Sequence, residues 1–140
     1  MTLRIGEVAE RSGVTARTIR YYEELGLLPQ GDREQGKHRV YSEVDVERLR
    51  EVTRLRDLLG LSLDELRSMI TAEDERAEAR RRFHETDSRE ERLELLDRAL
   101  PHFDTQLELV RRRLSELQEL EADLVERRKR TLRRKRELSY

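Results

Sequence analysis

Apolar positions along the chain fall first into short, interrupted helical patterns and later into one long sustained stripe. Ile5, Val8 and Ala9 share one face of a short amphipathic helix. Ser12-Gly13 ends it, because glycine tolerates the left-handed conformation of a helix stop. Thr15 has the chemistry of an N-cap for a second helix. Around that helix Val14, Ile19 and Leu25 bury inward, leaving Arg17, Thr18, Arg20 and Tyr21 largely outward. Pro29, Gly31 and Gly36 interrupt the helical pattern. Leu27-Leu28 and Arg39-Val40-Tyr41 are predicted to pair as a short antiparallel ribbon. Arg33, Lys37, His38 and Arg39 then lie toward its tip or returning strand.

Two further helices follow. Ser42 reads as an N-cap with Asp45 at the third helical position, and Tyr41 with Val46 forms a hydrophobic staple across it. Leu49, Val52, Leu55 and Leu59 continue to Gly60. Ser62 and Glu65 make a capping box, with Leu61 and Leu66 as the staple. Residues 73–87 are polar and helix-prone, with Ala77, Ala79 and Phe83 as their apolar candidates, and read as a connecting helix. Ser88 and Glu91 make another capping box, starting a last helix near Arg89.

From there Leu93, Leu96, Leu100, Phe103, Leu107, Val110, Leu114 and Leu117 recur at steps of three and four, an a/d seam. One helix cannot bury such a stripe alone, so the economical reading is self-association. Pro101 removes a backbone bond and costs about 3 kcal/mol inside a helix. The heptad phase nevertheless runs unbroken from Leu100 to Phe103, which favours one kinked helix over two. Past Leu117 the seam degrades, with Glu121, Arg128 and Thr131 at core positions and Leu124 between them.

Composition narrows the function. Of 140 residues 44% are charged and 35% apolar, which points to long helices around a small core. The 30 basic and 31 acidic side chains nearly cancel, at net −1, so any nucleic-acid signal is local rather than global. Cysteine is absent, which excludes disulfides, thiolate metal sites and thiol redox sensing. No apolar run approaches the roughly 20 residues of a membrane span, and the N-terminus lacks a signal peptide's apolar core. A soluble cytoplasmic protein is expected. His38, His84 and His102 are scattered, and no nucleophile–base pair, phosphate-binding glycine loop or metalloprotease motif is present. Neither catalysis, metal nor cofactor is therefore assigned.

Two short helices around a tight turn, followed by a basic hairpin, make a winged helix-turn-helix, a shape that fits duplex DNA. Arginine can bond guanine in a fork, threonine can touch a thymine methyl, and tyrosine hydroxyls commonly bond phosphates. The basic ribbon reaches phosphates or the minor groove. Arg48, Arg54 and Arg56 are candidates for additional phosphate contacts. The basic run at 127–136 could touch DNA or an acidic partner, or be a solvated helix end.

The segments IGEVAERSGVTARTIRYYEELGLLP, GKHRVYS and LRDLLGLSLDELRSMI closely resemble the DNA-binding domain of the mercury-resistance regulator (MerR) family. The resemblance covers about residues 3–72. It implies that Arg20, Tyr21, Tyr22, Arg39 and Tyr41 serve a DNA interface, with Thr15, Arg17 and Thr18 at the start of the recognition helix. His38 departs from the tyrosine of many members, though a histidine still bonds phosphate. The resemblance further implies two stalk helices paired antiparallel, centred near Phe103 to Leu107. It also implies a promoter with an overlong spacer that the dimer distorts for RNA polymerase.

The expected organisation is mainly α: a winged helix-turn-helix domain over 1–72, a connecting helix over 73–87, and a coiled-coil dimerisation helix with a basic tail over 88–140. The expected partners are double-stranded DNA, a second copy of the chain and RNA polymerase, with no effector named. Two alternatives stay open at this point, an architectural or phage-type accessory DNA-binding protein and a coiled-coil adaptor whose head binds protein.

Overall fold

Helix starts in this chain are set by side chains that answer orphan backbone N–H groups. The Thr18 N–H donates to Thr15 Oγ1 at 3.1 Å, and the Glu65 N–H donates to Ser62 Oγ at 3.2 Å while Glu65 Oε1 accepts from the Ser62 N–H at 2.8 Å. Asp45 accepts from the Ser42 N–H at 2.8 Å. Both staples close, with Tyr41 and Val46, and Leu61 and Leu66, all buried. Ser88 caps half as expected. It accepts from the Glu91 N–H, but the Glu91 carboxylate accepts from Thr86 Oγ1 at 2.9 Å.

The computed structural model describes residues 2–28, 32–34 and 38–139, with backbone alone for 32–34, 38 and 39. Among them the order is α1 (Ile5–Ser12), α2 (Ala16–Glu24), β1 (Asp32–Glu34), β2 (His38–Val40), α3 (Glu43–Leu59), α4 (Leu63–Glu85) and α5 (Arg89–Leu138). Gly13, at φ 78°, ends α1 in the left-handed conformation and makes the turn into α2. The expected fold, a winged helix-turn-helix followed by a long helix, is what forms.

The ribbon pairs differently from expectation. β1 and β2 are antiparallel with Asp32 opposite Val40, Arg33 opposite Arg39 and Glu34 opposite His38. Leu27 and Leu28 are not a strand; both are buried in the core. The reason is a Schellman stop on α2. Gly26, at φ 77°, donates its N–H to the Glu23 carbonyl, and the Leu27 N–H donates to the Tyr22 carbonyl. That turn aims both leucines inward. Tyr41 pairs instead with Leu3, their N–H and C=O groups exchanging two bonds of 2.8 Å. The turn residues Pro29, Gly31 and Gly36 lie outside the described residues.

One core joins the head to the helical hairpin behind it. Val8, Ile19, Leu27, Leu28, Val46, Leu49, Val52 and Leu66 are its most deeply buried side chains, and Leu109 of α5 packs against it. Helix α4 runs unbroken from 63 to 85, so the connecting helix expected from residue 73 is its second half. Helix α5 continues through Pro101 as one helix of 50 residues. It returns antiparallel along α4. Gln106 Nε2 donates to the Met69 carbonyl at 3.3 Å and to Glu73 at 3.0 Å, Arg76 donates to Gln106 Oε1 at 2.8 Å, and Arg112 pairs with Glu65. Beyond Arg113 the second half of α5 extends past the start of α4.

Candidate nucleic-acid interface

Helix α2 is divided sharply by burial. Ile19, Tyr22 and Glu23 face the core. Arg17, Arg20, Tyr21 and Glu24 are exposed, and with half-buried Thr18 they line one open depression of the surface. Glu24 was missed by sequence reasoning, although its position four residues after Arg20 places it on the same face. The Thr15 hydroxyl donates to Thr18 Oγ1 at 2.9 Å, which fixes the first turn.

The arginines around this face are committed elsewhere. Arg11 pairs with Glu43, and Arg50 donates to the Arg11 carbonyl at 2.9 Å. Arg48 makes a two-pronged pair with Asp74 and donates to the Leu27 carbonyl at 3.2 Å. Arg54 pairs with Glu51 at 2.8 Å. Arg56 bonds Asp57 at 3.0 Å and donates to the Tyr22 hydroxyl at 2.6 Å. Hydrogen bonds to these carboxylates raise the pKa of Arg11, Arg48, Arg54 and Arg56 above the ordinary guanidinium value. Arg48 and Arg56 therefore tie α3 to other parts of the head, whereas the Arg54–Glu51 pair lies within α3. By contrast, no hydrogen bond or ion pair engages Arg17 or Arg20 among the described residues.

The resemblance assigned Tyr22 and Tyr41 to the interface. Both residues are buried, at 3% and 2% exposed, so neither ring offers a face to a base. The Tyr22 hydroxyl accepts from Arg56, tying α2 to α3. The Tyr41 hydroxyl donates to Glu23 at 2.6 Å, tying the exit of the wing to α2. Arg33 and Arg39 face each other in the backbone register, and His38 opposes Glu34. The side chains of these three, and the whole of Lys37, lie outside the described residues.

The eight seam residues from Leu93 to Leu117 are 40–57% exposed. A different stripe of α5 packs on α4: Leu95, Ala99, His102, Gln106, Leu109 and Arg113, all buried or half-buried. Sequence reasoning missed it because polar residues interrupt it. The Arg76 guanidinium lies over the Phe103 ring at 4.1 Å, linking the stripes. Among the described residues no three His, Asp or Glu side chains converge on a metal position, and no helix is long and apolar enough to cross a membrane.

The family model for the MerR HTH family regulatory protein matches residues 3–73, covering α1 through the first half of α4. The chain belongs to the MerR family. Its head is 48% identical over 68 residues to the HTH-type transcriptional regulator YfmP of Bacillus subtilis (strain 168), covering 49% of each chain. It is 43% identical over 70 residues to the mercuric resistance operon regulatory protein of Bacillus cereus, covering 50% of this chain and 52% of that one. The chain thus spans about half the length of these curated relatives. A solved MerR family transcriptional regulator from Listeria monocytogenes is 32% identical with a TM-score of 0.53, covering 87% of this chain and 80% of that one. That likeness extends past the matched head into the stalk of this MerR-family chain.

Proposed function

We propose that this MerR-family chain is a sequence-specific DNA-binding transcription regulator that acts as a homodimer on a pseudo-palindromic promoter site. The observation that carries the reading is the partnerless outward pair Arg17 and Arg20 on α2, in a head whose neighbouring arginines are held by carboxylates and carbonyls. Free guanidinium forks beside Thr18 and Tyr21 are the donors that base edges and phosphates need. Thr15, through its cap, sets the turn that presents them. The wing residues Arg33, Lys37, His38 and Arg39 supply backbone contacts alongside.

The seam supplies the second copy. Eight large apolar side chains left 40–57% exposed on one helix form a surface that self-association buries. Residues 1–72 then read DNA, 73–87 connect, and 88–140 pair the subunits. A two-fold dimer presents two α2 helices to adjacent major grooves. The names of the relatives, a transcriptional regulator and an operon regulatory protein, support placement at a promoter. Untwisting an overlong promoter spacer costs several kcal/mol, offset by phosphate contacts. The mechanism contains no catalytic step, requires no cofactor and places the protein with the DNA in the cytoplasm.

The test is selection of bound duplexes from a random pool, followed by affinity measurements with Arg20→Ala at matched salt. We expect the variant to bind the selected site more weakly by about 1–3 kcal/mol. Unchanged affinity removes α2 from the interface, and failure of the wild type to select any sequence overturns the regulator reading.

A further inference from the structure

We propose that the end of α5, residues 127–136, is a second DNA-binding element that holds duplex phosphates flanking the selected site without reading sequence. The proposal rests on the DNA-binding reading above and adds to it a separate element at the far end of the chain.

Charge is segregated along this chain. Residues 127–136 hold eight arginines and lysines and no acid. The remaining residues carry 22 basic and 31 acidic side chains, a net charge of −9. The bland explanations account for only part of the run. Arg127 pairs with Asp123 at 3.1 Å. Lys135 and Arg136 occupy the last helical turn, where free carbonyls favour cations. Arg128, Lys129, Arg130, Arg133 and Arg134 remain. All five are exposed, and no hydrogen bond or ion pair engages them among the described residues.

Their arrangement selects the ligand. At 100° per residue, the cations of this run surround the helix and do not form one stripe. An acidic protein surface meets one side of a helix. A duplex groove puts phosphates on both sides, and its major groove, about 12 Å wide, admits a helix about 10–12 Å across. Lys129 with Arg133, and Arg130 with Arg134, are like charges one turn apart, which destabilises an isolated helix. A polyanion relieves that repulsion. The segment also stands clear of the body, since α5 runs about 38 Å past Arg113.

The experiment compares the full wild-type chain with a five-fold variant, Arg128→Gln, Lys129→Gln, Arg130→Gln, Arg133→Gln and Arg134→Gln. Glutamine keeps nearly the same helix propensity, and circular dichroism verifies the fold. Two probes are used: the selected site as a duplex of about 20 base pairs, and the same site with about 10 base pairs of random flank on each side, one further helical turn. We expect the wild type to bind the flanked duplex about 10-fold or more tighter than the short one, with a salt slope steeper by about 3. The variant should match the wild type on the short duplex and gain nothing from the flanks. A wild type without a flank gain, or a variant that keeps it, overturns the proposal and leaves the regulator reading intact. A variant whose only change is weaker self-association in sedimentation also overturns it, making the acidic body of a second copy the occupant. Failure of the wild type to bind either duplex sinks both readings together.

Discussion

The hydroxyl of Tyr41 and the carboxylate of Glu23 meet at 2.6 Å across 18 residues of sequence, and both residues are buried. Tyr41 closes the wing against Leu3, and Glu23 belongs to α2, so this hydrogen bond couples the positions of the two elements. Removing a donor from a buried carboxylate leaves desolvation that water no longer offsets. Tyr41→Phe keeps the ring and its packing, and we expect it to lower unfolding stability by about 1–3 kcal/mol. Urea unfolding followed by circular dichroism measures this. An unchanged midpoint would mean that the wing and α2 are held together by other contacts.

Pairing divides the arginines of the head into two sets, for which the proposed interface predicts different effects on binding. Arg17 is exposed and partnerless among the described residues, whereas Arg54 is in an exposed pair with Glu51 at 2.8 Å. We expect Arg17→Ala to weaken binding to the selected duplex by about 1–3 kcal/mol. We expect Arg54→Ala to change it by less than about 0.5 kcal/mol, the scale of an ordinary surface substitution. Equal losses in the two variants would refute the distinction drawn from their partners.

Acid should weaken the fold through exposed carboxylates. Hydrogen bonds from Arg11, Arg54 and Arg81 hold Glu43, Glu51 and Glu78 below the usual carboxylate range. A folded-state pKa below the unfolded value, about 4.3 for glutamate, gives stability that is complete above the unfolded value and lost as pH falls from there through the folded one. The arginine partners are shifted upward, so their side of the pairs is lost only in strong alkali. The thermal midpoint should be insensitive to these pairs between about pH 6 and 8 and fall below about pH 5. Because the pairs are exposed, 0.5 M salt should reduce the fall. A midpoint that rises on acidification would contradict the assigned sign.

Local signals carried most of the head. Thr15, Ser42 and Ser62 announce helix starts because a capping side chain and its backbone partner are three residues apart, within reach of sequence inspection. The leucine stripe of α5 is equally local, since its period alone defines a face. The misreadings share a different cause. Leu27-Leu28 resembles a strand until Gly26 turns it into the core, and burial depends on where a turn sends the chain. Tyr22 and Tyr41 sit in motifs that mark an interface, and their burial beside Arg56 and Glu23, 34 and 18 residues away, is not visible in those motifs. The α4-facing stripe hides behind Gln106 and Arg113, polar residues whose burial is intelligible only beside Met69, Glu73 and Gly60.

The two stripes of α5 make opposite predictions. Leu107 lies on the exposed stripe, and Leu95 is buried toward α4. Leu107→Glu places a charge in the proposed dimer seam without touching the core of one subunit. We expect it to shift sedimentation toward monomer while the helical circular dichroism spectrum is retained, and to weaken DNA binding through loss of the paired heads. Leu95→Ala opens a cavity between α4 and α5 and should lower unfolding stability by about 2–5 kcal/mol, the range for buried leucine truncations. Its DNA affinity, measured well below the unfolding midpoint, should stay near wild type. If Leu107→Glu remains dimeric at micromolar concentration while Leu95→Ala dissociates, the faces have been assigned the wrong way round. The stalk would then pair through the stripe that one subunit already uses.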